Sequence, residues 1–182
     1  MSPDTVERIA KLLALQCNVI QRILTCEALH DVGEVLTLTQ YSGLRFVALH
    51  PGACIRDMAM GLQVSHPAAV KLAERLQERG LILRSQAEKD QRRVCLYTTE
   101  EGQRLYRRVR YRLQTLIERV LSTLGDKGVQ DLEMLLKAFL SAALSSQEQI
   151  ARVCLYCGVE HESSCAVGQL EEALAGKPRD MY

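Results

Sequence analysis

Tryptophan is absent from this chain, and aromatic residues of every kind make up only 4% of it. With 47% apolar residues, that balance suits a helical protein rich in leucine and alanine. No run approaching the ~20 apolar residues of a membrane span is evident, and no signal peptide is visible. Those absences predict a cytoplasmic chain that does not engage a membrane. A glycine-rich phosphate loop, internal repeats and low-complexity segments are also missing. Charge of one sign is missing too: the net is +1, which by itself argues nothing about nucleic acid. The 182 residues suffice for one substantial core, with material left for an oligomerisation element.

Charge is unevenly placed. From Lys71 to Arg119 there are thirteen Lys or Arg against seven Asp or Glu, a local +6, so the remainder sums to −5. That polarity suits a DNA-facing lobe carried on a neutral-to-acidic scaffold. The alternative is that Arg104, Arg107, Arg108, Arg110 and Arg112 are simply a solvated helix face.

The stretch from Cys54 to Gly102 reads as helix, turn, helix and a short two-stranded hairpin. Met58, Ala59 and Leu62 give the first helix one apolar face, and Gly61 to Ser65 makes the turn. Ser65 suits an N-cap, and Pro67 falls in the first turn of the next helix, where its missing N–H costs nothing. Val70, Leu72, Ala73 and Leu76 then recur at helical spacing until Gly80 stops the helix. Leu81 to Arg84 and Arg93 to Tyr97 read as strands around a polar tip, Ser85 to Arg92. A helix of this size fits the major groove of DNA, and a basic hairpin beside it reaches backbone or minor groove.

Three segments carry a specific likeness: Leu62-Gln63-Val64-Ser65-His66-Pro67-Ala68-Ala69-Val70, Leu76-Gln77-Glu78-Arg79-Gly80-Leu81-Ile82, and Asp90-Gln91-Arg92 followed by Thr98-Thr99-Glu100-Glu101-Gly102. Together they resemble the winged helix-turn-helix of MarR-family transcriptional regulators, and the register holds without a gap. Helical periodicity alone is weak support; the Asp-x-Arg wing and the Thr-Glu-Glu-Gly helix start make the likeness specific. Val70 stands where the family often has Ser or Thr, Ala87 where the wing often begins with Asp, and Cys54 where a Ser, Thr or Asp cap is usual.

The resemblance implies a mainly α fold with a two-stranded wing: a winged helix-turn-helix domain over residues 36–99, and a helical dimerisation region from residues 1–30 and 100–153. It also implies a regulator, not an enzyme, that binds double-stranded DNA as a homodimer and reads an inverted repeat. Base or groove contacts fall to His66, Ala68, Lys71 and Arg75, with Ser65 and Pro67 positioning the helix. Arg92 resembles the wing arginine that enters the minor groove, oriented by Asp90, while Lys89 and Arg93 serve phosphates.

The flanking segments read as helices. From residue 4 to about 30, Val6, Ile9, Leu13, Cys17, Ile20 and Leu24 step by three or four, and Leu12, Val19 and Ile23 widen the stripe. Such a helix packs on two sides, one of them a partner chain, with Cys17 and Cys26 as small core residues. Asp31 to Glu34 breaks it. Thr39 then caps a helix that ends at His50-Pro51-Gly52. His30 and His50 could line a pocket or bind metal, although a structural role is commoner near helix ends. Thr99-Glu100-Glu101 starts a long helix with a seam from Leu105 to Leu124. After a turn at Gly125 to Gly128, a second seam runs from Val129 through Leu144 into Ile150 and Val153.

Seven cysteines in a cytoplasmic protein do not suggest a disulfide framework. Cys154, Cys157, His161 and Cys165, in the tail over residues 154–182, follow C-x2-C-x3-H-x3-C. Such a Cys3His set is ordinary zinc chemistry. Exposed thiols without a ligand and a Cys154–Cys157 redox pair are the alternatives. The tail also resembles the C-terminal metal loops of MerR-family regulators, both the zinc-responsive members and the sensors holding a [2Fe–2S] cluster. The latter have a further Cys where this chain has Val159, so zinc is the first expectation. A small phenolic ligand between the dimer and DNA lobes is the other effector the MarR resemblance allows. An enzyme built on the Cys/His cluster ranks last, because no second acid/base group sits near it.

Overall fold

Ser2 starts the first helix: its hydroxyl accepts the Thr5 N–H at 3.3 Å, and Pro3 takes the first helical position. In the computed structural model α1 (Pro3–Asn18) continues through a π-turn (Val19–Leu24) into α2 (Thr25–Asp31). Thr25, buried, sends both its backbone N–H and its hydroxyl to the Ile20 carbonyl, which widens the helix there. The single helix expected from residue 4 to about 30 is thus present, with one wide turn inside it. The structure describes residues 2–33, 35–87, 90–157 and 165–175; side chains at 87, 90–93, 152, 155–157 and 172–175 fall outside that description.

Next come α3 (Leu38–Leu49), α4 (Ile55–Gly61), α5 (His66–Glu78), β1 (Ile82–Ala87), β2 (Asp90–Thr98) and α6 (Glu100–Leu121). A 3-10 turn (Ser122–Leu124) leads to α7 (Gly125–Ala143), followed by α8 (Gln147–Cys157) and α9 (Ala166–Ala175). The mainly α fold with a two-stranded antiparallel wing is therefore as expected. Several boundaries differ. Thr37, not Thr39, caps α3, because Gln40 three residues on completes a reciprocal pair: Gln40 N–H to the Thr37 hydroxyl at 3.2 Å and Thr37 N–H to Gln40 Oε1 at 3.0 Å. The wing strands run longer than expected, with an irregular register at Gln86/Ala87. The break after α6 comes earlier, at Ser122–Leu124, so Gly125 already belongs to α7. The seam expected to run on to Val153 is interrupted after Ala143, and α8 is a separate helix.

One apolar core joins α2, α3, α4, α5, the wing and α6 through Ala28, Leu44, Met58, Leu76, Ile82, Leu96 and Leu105, each 2% exposed or less. Burying each large side chain stabilises the fold by about 1.5–3 kcal/mol. Leu144, Ile150 and Val167 form a second, smaller cluster between α8 and α9.

Two long helices contribute nothing to these cores. No residue of α1 or α7 is buried, while Val6, Ile9, Leu12, Leu15, Met134, Leu135 and Phe139 are exposed. Cys17 and Cys26, expected in a core, are also exposed, because nothing among the described residues covers that face. The absence of a span-length apolar stretch also needs correcting. By length and composition alone, the helix Pro3–Asp31 is apolar enough to cross a membrane, since few charges interrupt its stripe.

Candidate nucleic-acid interface

The reading head is built by close backbone approaches. Gly43 lets α3 meet α5: a Cβ there would stand 3.0 Å from Leu72 Cδ2 and 3.0 Å from Met58 Cε. The turn between α4 and α5 uses Gln63 in the left-handed region (φ 54°), held by Gln63 N–H to Met60 O at 3.1 Å and Val64 N–H to Ala59 O at 3.0 Å. Ser65 then caps α5, its hydroxyl accepting the Ala68 N–H at 3.4 Å.

Helical periodicity sorts α5 into two faces. Ala69, Leu72, Ala73 and Leu76 are buried. Ser65, His66, Pro67, Ala68, Lys71 and Arg75 are all exposed on the outward side, as the sequence suggests. Glu74 and Glu78 are exposed too, so the cationic character rests on Lys71 and Arg75. At the far end Gly80 adopts φ 68°, and Leu81 N–H returns to Leu76 O at 2.9 Å.

Thr99 locks the wing and α6 to that end. Its hydroxyl donates to Gly80 O at 2.6 Å and accepts the Gly102 N–H at 3.0 Å, while its own N–H donates to Leu81 O at 3.1 Å. The wing pairs Ile82 with Thr98 and Arg84 with Leu96, out to Ala87 opposite Asp90. The backbones of Asp90, Arg92 and Arg93 therefore lie on β2 near the tip; their side chains, and all of Lys89, lie outside the described residues.

The arginines of α6 divide. Arg108 donates to Val32 O at 2.8 Å, and Arg112 binds the Asp31 carboxylate through Nε and an Nη. Arg104 pairs with Glu101 one turn away. These three tie α6 to the end of α2 or to itself. The Arg112 hydrogen bond holds the Asp31 carboxyl below its ordinary value against the opposing desolvation, and the Arg112 charge and then His30 add to the lowering. Burial pushes the Tyr41 hydroxyl up to about 12.

Other predicted groups fall elsewhere. His30 is exposed and 3.7 Å from Asp31, and His50 stacks at a tilt on Phe46, with ring centroids 4.7 Å apart. Among the described residues no group of three metal-binding side chains converges. Cys154 and Cys165 both pack on the small α8/α9 cluster, while the Cys157 side chain and His161 lie outside the described residues. No local pattern singles out Thr99 as a staple, or Arg84, whose Nε and Nη2 are buried without a hydrogen-bond partner among the described residues.

Comparison with known proteins agrees with this geometry. The MarR family model matches residues 36–94. The homoprotocatechuate degradative operon repressor of Escherichia coli is 29% identical over 115 residues, 63% of this chain and 78% of the repressor. A MarR family protein from Bacillus stearothermophilus superposes with a TM-score of 0.70 at 20% identity, over 79% of this chain and 98% of that one. FabT of Streptococcus pneumoniae, solved in complex with DNA, superposes with a TM-score of 0.62 at 17% identity, over 76% of this chain and 96% of its own.

Proposed function

This chain belongs to the MarR family of winged-helix, DNA-binding transcriptional regulators, and from that premise we propose that it works as a cytoplasmic homodimer reading an inverted repeat. The observation that carries the dimer is the bare apolar surface of α1 and α7. Leu12 is 56% exposed, Leu15 60%, Leu135 63% and Phe139 51%, on two helices with no fully buried residue. Exposed apolar surface of this extent marks an interface. Covering it with a second copy also explains the span-like composition of Pro3–Asp31 without a membrane.

In such a dimer the two α5 helices enter successive major grooves about 34 Å apart. His66, Ala68, Lys71 and Arg75 face the bases or groove walls, and Ser65 and Pro67 set the helix start. Arg92 enters the minor groove with Asp90 orienting it, and Lys89 and Arg93 meet phosphates. Selection from a random duplex library tests this. Two dyad-related half-sites, bound by a species of twice the chain mass in light scattering, are expected. A single asymmetric half-site bound by one chain would overturn it.

For the effector, the favoured reading is a zinc site of Cys154, Cys157, His161 and Cys165. Its support is that Cys154 on α8 and Cys165 just before α9 pack on the same small core, so the helix pair brings two soft ligands to one place. Zinc bound there would neutralise thiolate charge and fix the α8/α9 pair; α8 also packs against α4, which lies next to α5. If metal prefers one arrangement of that pair, DNA affinity changes with it. Metal analysis of anaerobically purified protein separates zinc from a [2Fe–2S] cluster, and the latter would colour the protein. Equal DNA affinity with and without chelator would remove the sensing role. The competing effector, a phenolic acid between the lobes, takes its support from the name of the Escherichia coli relative.

A further inference from the structure

Cys54 and Cys95 meet where the start of α4 lies alongside β2. Leu96 N–H donates to Ala53 O at 2.8 Å, Gly52 N–H donates to Leu96 O at 2.9 Å, and Cys54 and Cys95 are antiparallel neighbours. The Leu96–Ala53 bond flanks the cysteine pair instead of joining it. This is the narrow kind of antiparallel pair, in which Cα atoms typically stand about 4.5 Å apart and both side chains leave the same face. That separation lies within the roughly 4.4–6.8 Å that disulfides span.

Both residues are thiols in this structure. Cys95 is only 5% exposed and belongs to neither apolar cluster, as a side chain covered locally by its neighbour would be. Cys54 is half-buried, so a small solute reaches it.

We propose that Cys54 and Cys95 form a redox-modification site, a dithiol that a hydroperoxide closes to a disulfide at the joint between the helix-turn-helix and the wing. The Cys54 sulfur attacks the peroxide, the O–O bond breaks, and Cys54 becomes a sulfenic acid while the peroxide leaves as an alcohol, or as water from hydrogen peroxide. The Cys95 sulfur then attacks Cys54. The S–S bond forms, the S–O bond breaks, and hydroxide departs with the Cys95 proton as water. The two sulfurs give up two electrons and the peroxide takes them. A dithiol reductant reverses the change. The site is independent of the tail cysteines and of the zinc reading.

The test uses the full chain, reduced, exposed to hydrogen peroxide, quenched in acid, alkylated under denaturing conditions and digested for mass spectrometry. The expected product is a peptide pair joining Cys54 to Cys95, two hydrogens lighter than its parts and lost on treatment with dithiothreitol. Cys54→Ser keeps a residue favoured at helix starts, so it should retain its circular dichroism while leaving Cys95 singly alkylated. Oxidation should also raise the melting temperature of the wild type, because it closes the loop between the two positions, and leave Cys54→Ser unmoved. Recovery of Cys54 and Cys95 as separate peptides after oxidation, or of Cys54 joined to a different cysteine, overturns the proposal.

Discussion

Replacing Gly102 with alanine would put a methyl where the backbone leaves no room. A Cβ there would stand 1.9 Å from the Leu81 carbonyl oxygen, 2.9 Å from its carbon and 3.3 Å from Leu44 Cδ1. Carbon and oxygen normally rest no closer than about 3.3 Å, so the wing and α6 must part by more than an ångström. The atom in the way is backbone, which cannot swing aside as a side chain can. Parting breaks the Thr99 N–H bond to Leu81 O, 3.1 Å long, and strains the Thr99 hydroxyl bridge beside it. A lost hydrogen bond costs about 1 kcal/mol, and overpacking a core adds about 1–3 kcal/mol. Alanine recovers about 1 kcal/mol of helix propensity. The net is a loss of about 1–3 kcal/mol, read as a fall in urea midpoint at unchanged m-value. Gly168→Ala is the control, because its Cβ would meet only Cys165 Cβ at an ordinary 3.6 Å. A Gly102→Ala protein as stable as the wild type would refute the packing described at this joint.

Leu12→Glu should give a folded chain of monomer mass in light scattering, since it places charge on an apolar face that the described residues leave exposed. Lys89→Ala should weaken binding of a selected duplex about equally across sequences and lower the salt-dependence slope by about 1, as losing one phosphate contact does. Arg92→Ala should weaken binding by at least tenfold in a gel-shift titration while the dimer mass stays the same; normal affinity would remove the wing assignment. Asp31, held below the ordinary carboxylate range chiefly by Arg112, stabilises the fold above about pH 4 and loses that contribution as pH falls through its depressed value. The gap in urea midpoint between wild type and Asp31→Asn should therefore be present at neutral pH and close in acid.

The reading head was legible because its signals are local. Ser65, Pro67 and Gly80 act on the backbone within a turn of themselves, and the Ala69–Leu76 stripe has one helical period. Thr37 and Thr39 can both cap, and only the reciprocal bonds with Gln40 decide between them. The roles of Arg108 and Arg112 were beyond local reasoning, since their partners Val32 and Asp31 lie on another element far back in the chain. Cys54 and Cys95 are likewise distant in sequence, and no periodicity announces that a loop and a strand will run side by side. Cys17 and Cys26 were misplaced for a different reason: an amphipathic stripe predicts burial but does not say by which molecule.

The Thr99 hydroxyl touches Gly80, just past the end of the reading helix, on one side and the first turn of α6 on the other. The two helices therefore share a hinge pin with no slack in it. A tilt of α6 at its distant end, where it leads into the exposed α7, must swing the tail of α5 with it. In the proposed dimer, spacing between the subunits would thus be geared directly to the angle at which each copy meets the groove.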